Sequence, residues 1–314
     1  MPVLGIDTSC YTTSAALVEG EELLADCRAP LKVPPGGRGL RQSDAFFQHV
    51  QNLPGLIERL GLKEINIHAI AASSRPRSAK GSYMPVFSAG VSFARALASA
   101  LGAPYFETSH QEGHIAAGCF SLRRRPAIPF LAFHISGGTT EILRAEPAQA
   151  GFRVDIVGET KDLHAGQVVD RVGVALGLQF PAGPGLEKLA LAYNGKPDAP
   201  FLKANISGAD CSLSGMESAA QRLIASGAEG PAIAFEVQRC LAGVFIDMAW
   251  EASKMTGLKE LLVIGGVASN AYIRKALADS LGGEGIAVRF AEIPFSSDNA
   301  VGVAAIGQNF FCGR

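Results

Sequence analysis

The stretch V-L-G-I-D-T-S-C-Y-T-T-S-A-A-L-V, residues 3–18, reads as an apolar strand, a hydroxyl-rich turn and an alternating strand that returns antiparallel. The same plan recurs at F-L-A-F-H-I-S-G-G-T-T-E-I-L-R-A, residues 130–145. Each turn carries a Thr-Thr pair, Thr12-Thr13 in the first and Thr139-Thr140 in the second. A third strand–turn, L-L-V-I-G-G-V-A-S-N at 261–270, opens a helix beginning near Ala271. A repeat of about 130 residues is far too long for a solenoid. It fits a chain whose two halves are built alike, although two unrelated hairpins would give the same local pattern.

The chain has 314 residues, more than one core usually supports, so two domains are expected. Hydrophobic residues make up 48% and charged residues 18%, with 36 glycines against one tryptophan, which suits an aliphatic α/β core of parallel strands and helices. The formal net charge of −1 excludes a globally basic nucleic-acid binder; any RNA contact must come from a local patch. No basic segment precedes an apolar run at the N-terminus, so no signal peptide is expected. No apolar stretch reaches spanning length, so no membrane is expected either. Six cysteines are scattered without a C-x-x-C pair, which points to reduced thiols and a cytoplasmic enzyme rather than a zinc ribbon or redox dithiol.

Between the two hairpins, helical periodicity runs through 54–60 and 89–102, the latter stopped by Gly102 and Pro104. R-R-R-P-A-I-P at 123–129 reads as a linker between lobes, and 31–41 as a basic surface loop. Residues 236–254 form an amphipathic helix that leads into the third strand–turn. After S-S-D-N (296–299) the chain ends in a small-residue helix through Phe310. The expected lobes are 1–127, completed by the C-terminal helix 298–314, and 128–297.

T-S-H-Q-E-G-H-I-A-A-G, residues 108–118, places His110 and His114 four apart, on one face of a helix where both imidazoles can reach one cation. A helical zinc protease needs its glutamate directly after the first histidine. That position is Gln111, and Glu112 points roughly 100° further round the helix. Two histidines need a third ligand, and Asp298 in F-S-S-D-N-A is the best acid for it, although an aspartate ahead of a helix is by default an N-cap. The turns at 5–9, 135–140 and 265–270 each offer backbone N–H groups that could cradle phosphate or ribose.

In order along the chain, G-I-D-T-S-C, S-H-Q-E-G-H, I-S-G-G-T-T, A-G-Q-V-V-D-R-V-G-V-A-L-G-L-Q-F-P-A-G-P, S-L-S-G, G-G-V-A-S-N and S-S-D-N-A resemble the tRNA threonylcarbamoyladenosine transferase family (TsaD type), long labelled an endopeptidase family. The resemblance covers nearly the whole chain. It implies an α/β fold of the two-lobed actin-like (actin/Hsp70/sugar-kinase) kind with duplicated mixed-sheet domains. It places metal ligands on His110, His114 and Asp298, holding one divalent metal, iron or zinc. Its substrate turn falls on Ser136, Gly137, Gly138 and Thr139, with His134 and Ile135 leading in. Further nucleotide contacts fall on Asp170, Gly183, Glu187 and Asn270.

Such enzymes move a threonylcarbamoyl group from threonylcarbamoyl-adenylate to the exocyclic amine of the tRNA adenosine beside the anticodon. They bind ATP or ADP and are helped by a related non-catalytic subunit and a small ATPase. The chain departs from the pattern at Tyr11 and Thr12, at Thr139, at S-S-R-P-R-S-A-K-G-S-Y (73–83) and at Glu217. These departures keep two alternatives in play: a nucleotide- and metal-binding paralogue that regulates or scaffolds a transferase, or a carbamoyl transferase with a different acceptor. The candidate RNA contacts are Arg75, Arg77, Lys80, Arg123 to Arg125, Lys32, Arg38 and Arg41. The phenylalanines, Phe130 and Phe133 among them, sit in apolar runs and read as core rather than as a stacking platform.

Overall fold

Val3–Thr8 (β1) and Thr12–Glu19 (β2) pair antiparallel, and β2 pairs antiparallel with Glu22–Pro30 (β3). Helix Gln42–Arg59 (α1) carries the chain to Ala69–Arg75 (β4), parallel to β1. Helix Phe87–Leu101 (α2) then leads to Tyr105–Ser109 (β5), parallel to β4, since parallel neighbours need a long crossover. The sheet order is β3-β2-β1-β4-β5. Helix His110–Ser121 (α3) follows β5 without a loop.

The second hairpin repeats this plan. Phe130–Ile135 (β6) pairs antiparallel with Thr140–Pro147 (β7), and Phe152–Glu159 (β8) is the next neighbour of β7 in the sheet. Helices Ala165–Ala175 (α4) and Gly183–Ala190 (α5) follow. A small ribbon of Asn205–Ser207 (β9) and Asp210–Ser212 (β10) precedes Ser214–Ala225 (α6) and Gly230–Thr256 (α7). Glu260–Ile264 (β11) is parallel to β6, and after Ala271–Gly283 (α8) the edge strand Ala287–Phe290 (β12) is parallel to β11. The order β8-β7-β6-β11-β12 reproduces that of the first sheet element for element. The chain closes with the single turn Ile293–Ser296 (α9) and helix Val301–Phe311 (α10). This computed structural model describes every residue except 10, 35–39, 63–64, 80, 194, 196–201 and 314; Cys10, Arg38 and Lys80, named above, lie outside the described residues.

Backbone contacts divide the chain into two units. The first comprises Met1–Ile128, Glu146–Val154 and Pro294–Arg314; the second comprises Pro129–Ala145 and Asp155–Ile293. In the first, the expected alternation of β2 is absent: Thr13 to Val18 are all buried. Both faces of the sheet are covered, which removes the polar side of the alternation. Ala15 and Leu17 join the α1 and α2 residues Leu53 and Ala94, while Ala16 and Val18 pack with Ala300 and Ala304 at the start of α10. In the second unit, Phe133 of β6 meets Phe245 of α7 edge-on at 5.2 Å within the main core. Among the described residues, no helix is long and apolar enough to cross a membrane.

Local backbone geometry fixes both ends of α3. Helices α3 and α10 cross at glycines: a Cβ on Gly302 would stand 1.9 Å from the Gly113 carbonyl oxygen. Only hydrogen fits there, so the crossing fixes the start of α10 against the first turns of α3. The C-terminus of α3 closes with Arg123 N–H donating to Phe120 O and Arg124 N–H to Cys119 O, both at 2.9 Å. Arg123 thereby takes φ 49°, alone among the described non-glycine residues in the left-handed region. Helix ends of this form favour glycine, and a side chain there costs about 1 kcal/mol.

Candidate metal centre and nucleotide turn

The start of α3 is built by a capping box. Ser109 Oγ accepts the Glu112 N–H at 3.2 Å, and Glu112 Oε2 accepts the Ser109 N–H at 3.1 Å. Ser78 Oγ also donates to Glu112 Oε2 at 2.6 Å, and the Phe152 N–H to Oε1 at 3.4 Å. The carboxylate is spent on holding the helix end, so it has no position from which to activate water for peptide cleavage. The capped turn fixes His110 as the first helical residue and His114 one turn on, with their Nε2 atoms 3.0 Å apart.

Asp298 approaches this pair from the connection between α9 and α10. Its Oδ1 lies 3.3 Å from His114 Nε2 and 3.7 Å from His110 Nε2. The neighbour of Asp298 bonds the start of α10. Asn299 Oδ1 accepts the Val301 N–H at 3.0 Å, and Asn299 Nδ2 donates to the Phe295 and Ser297 carbonyls, so Asn299 holds the helix end while Asp298 turns to the histidines. One ligand atom from each of His110, His114 and Asp298 lies within 4.8 Å of the others.

A residue that the pattern reading did not single out completes the cluster. Asp7, on β1 and fully buried, faces His110 Nδ1 with its Oδ2 at 2.7 Å. Burial alone would raise the Asp7 pKa, but the charge and hydrogen bond of His110 hold it below the ordinary carboxylate range. Burial would likewise depress His110; Asp7, aided by Asp298, overcomes it and carries His110 up to about 9. His114 moves the other way: burial, then the His110 charge, lower it. His49 of α1 stands behind Asp7, its Nδ1 2.8 Å from Thr13 Oγ1, and burial lowers its pKa as well.

The donor set suits a cation. Atoms bound about 2.1 Å from one ion stand roughly 3.0–3.4 Å apart; the His110–His114 and His114–Asp298 separations of 3.0 and 3.3 Å have this spacing, and the His110–Asp298 separation of 3.7 Å is slightly wider. Two ring nitrogens pointed at each other can otherwise share only a proton. With Asp7 on its Nδ1, His110 presents Nε2 to the shared point, the outer carboxylate arrangement that orients ligating histidines.

The second unit holds the glycine turn between β6 and β7. Ser136 N–H donates to Thr139 O at 2.8 Å, and Gly166 N–H at the start of α4 donates to Ser136 O at 3.2 Å. A Cβ on Gly166 would stand 2.6 Å from Gly137 Cα, so the helix start presses directly on the turn. On their open side Gly137 and Gly138 are exposed, with nothing within 4 Å of where a Cβ would lie. His134 and Ile135 are buried at the end of β6 and lead into the turn. Asp170 of α4 accepts the Ala182 N–H at 2.7 Å beside Gly183, and burial raises its pKa. One turn along α5, Glu187 Oε1 accepts the Ala271 N–H at 2.7 Å, next to Asn270. Asn270 caps α8 through its Oδ1 and donates from Nδ2 to Gln238 at 3.2 Å. Helix α5 thus links the four predicted nucleotide residues.

A family model for tRNA N6-adenosine threonylcarbamoyltransferase matches residues 33–305. The chain belongs to the tRNA N6-adenosine threonylcarbamoyltransferase family. Curated relatives of that name include one from Porphyromonas gingivalis, 30% identical, with 99% of this chain and 95% of that protein aligned. Another, from Thermus thermophilus, is 33% identical, with 97% of this chain and 91% of that protein aligned. In fold, the chain is similar to component A of the (R)-2-hydroxyglutaryl-CoA dehydratase of Acidaminococcus fermentans: TM-score 0.60, 16% identity and 99% of both chains. The duplicated sheet order and this likeness place the chain in the actin-like α/β class that the sequence resemblance implied.

The positions where this family member departs from the sequence pattern are spread over both units. Tyr11 is 40% exposed at the β1–β2 turn, and its carbonyl accepts the Leu31 N–H. Thr139 contributes its backbone carbonyl to the glycine turn, and Glu217 accepts from Gln221 Nε2 within α6. Of the predicted RNA contacts, Arg75 donates to Ser74 Oγ at 3.0 Å, and Arg123, Arg124 and Arg125 line a cavity beyond α3.

Proposed function

We propose that the chain transfers the threonylcarbamoyl group of threonylcarbamoyl-adenylate to the exocyclic amine of the tRNA adenosine beside the anticodon. The observation that carries this reading is the meeting of His110, His114 and Asp298 in a chain matched across residues 33–305 by the family model. In the transfer, a bond forms between the adenosine N6 and the carbamoyl carbon, the bond from that carbon to the adenylate phosphate oxygen breaks, and the amine loses a proton. A divalent ion on the three ligands would supply Lewis-acid stabilisation of charge on the carbamoyl oxygen. Two imidazoles and one carboxylate suit iron or zinc.

The chain's own residues do the rest. Asp7 keeps the His110 ring turned so that Nε2 faces the shared point. The open side of Gly137 and Gly138 lets the adenylate phosphate approach the backbone of the turn, which the Ser136 N–H and the Thr139 carbonyl close. Asp170, Gly183, Glu187 and Asn270 hold the nucleoside, with ATP or ADP taking the same place. The reading includes tRNA as acceptor, a related non-catalytic subunit and a small ATPase as partners, and action in the cytoplasm. Incubating the metal-loaded chain and these subunits with threonylcarbamoyl-adenylate and an unmodified tRNA transcript should give threonylcarbamoyladenosine in the nucleoside digest. No product from correctly metallated protein overturns the reading.

A further inference from the structure

A cavity of about 320 Å³ opens beyond the C-terminus of α3, lined entirely by residues of the first unit. None of its lining residues is a candidate metal ligand or part of the nucleotide turn, although Phe152 also donates its N–H to Glu112 of the α3 cap. Its apolar lining includes Ala116, Cys119 and Ile306, and two half-buried phenylalanines, Phe120 and Phe152, also line it; the Phe120 ring in addition packs 6.1 Å from that of Phe295. Arg123, Arg124 and Arg125 stand along one stretch of the rim. Glu21 is the one acid among the lining residues, paired with Arg125 at 3.3 Å, so the rim keeps a net positive charge. Arg123 holds its place in a backbone conformation that glycine adopts more readily, so the guanidinium is kept there against local backbone preference.

Apolar floor, two aromatic rings and clustered guanidiniums are together the chemistry that receives an unstacked base with its phosphates. The volume sits at the low end for ligand pockets, which suits one nucleotide rather than a duplex. A chain of net charge −1 has no general attraction for nucleic acid, so a local patch of this kind has to supply it. We propose that this cavity holds one splayed nucleotide of an RNA ligand, its base against Phe120 and Phe152 and its flanking phosphates on Arg123 to Arg125. The inference rests on the tRNA reading above and names a docking point away from the reacting groups.

The test is binding of the full chain to an unmodified tRNA transcript over a series of salt concentrations. Arg123→Gly suits it, because glycine fits that backbone and the variant should melt no lower than the wild type. The double variant Arg123→Gly with Arg125→Gln should bind tRNA roughly tenfold more weakly. Its salt slope should fall by about one for each phosphate contact removed. Phe120→Leu should also weaken binding roughly tenfold but leave the slope unchanged, since stacking releases no counterions. If the wild type binds and modifies tRNA while the arginine variants match it in affinity and slope, the pocket assignment is overturned and the transferase reading stands. If the wild type binds no tRNA at all, both fall together.

Discussion

Replacing Asp7 by Asn should produce a loss of stability that depends on pH in a direction fixed by His110. In the metal-free protein, Asp7 Oδ2 sits 2.7 Å from His110 Nδ1, and the histidine pKa rises from 6.5 to about 9. A folded pKa above the unfolded one means stabilisation that is fully present below pH 6.5 and lost as pH rises through about 9. A rise of that size corresponds to about 3 kcal/mol between the two protonation states. Asp7 itself is depressed, so its share of the same interaction is present above its unfolded pKa and lost as pH falls through the lowered value. The pair's full stabilisation therefore spans about pH 4 to 6.5 and fades as pH rises towards 9.

Asp7→Asn keeps the shape and removes the charge. Urea unfolding of metal-free wild type and variant at pH 6 and at pH 10 measures the difference. The variant's deficit should be about 3 kcal/mol larger at pH 6 than at pH 10. An equal deficit at both values would show that Asp7 contributes packing only, and the electrostatic account of His110 would be wrong. With metal present, the same variant should bind the ion about 10- to 100-fold more weakly, because the ring loses the partner that orients it.

Three other outcomes follow from the geometry. Gly302→Ala drives a methyl group into the Gly113 carbonyl and should destabilise the protein by about 1–3 kcal/mol while weakening metal affinity, read by thermal melting and metal titration. Glu112→Ala removes the carboxylate half of the capping box, together with its bonds to Ser78 and Phe152, and should cost about 1–2 kcal/mol in urea unfolding, while wild type and variant alike cleave no peptide substrate. Gly138→Val places a branched side chain on the open face of the second unit's turn; folding by circular dichroism should be unchanged, and adenylate affinity by calorimetry should fall at least tenfold.

The hairpins at 3–18 and 130–145 were readable because each is two apolar runs around a hydroxyl- and glycine-rich turn, a local signal. The alternation expected in β2 was not there to read: T-T-S-A-A-L-V has small and apolar residues on both faces because helices cover both. Strands β4 and β12 are short or small-residue segments whose place comes from parallel partners distant in sequence, so no local pattern marks them. Helix α1 starts at Gln42 and runs through Pro54, whereas the periodic run from 54 showed only its last turns.

At the metal centre, the His110–His114 spacing is a local signal and was legible, and Asp298 was an acid with two explanations until Asn299 was seen to hold the helix end. Asp7 was hidden because its partner lies 103 positions away, and a lone aspartate on a strand carries no mark of such a pairing. The motif G-I-D-T-S did hold the residue, and an acid inside an otherwise fully buried strand is the signal that could have found it.

The most direct measurement is elemental analysis, coupled to metal titration, of the purified full chain and its ligand variants. One equivalent of a divalent transition metal is expected in the wild type and in Glu112→Ala, and at least a hundredfold weaker binding in His114→Ala and in Asp298→Ala with the melting profile retained. Undiminished metal binding by Asp298→Ala would contradict the shared site of His110, His114 and Asp298, and with it the chemistry proposed for this chain.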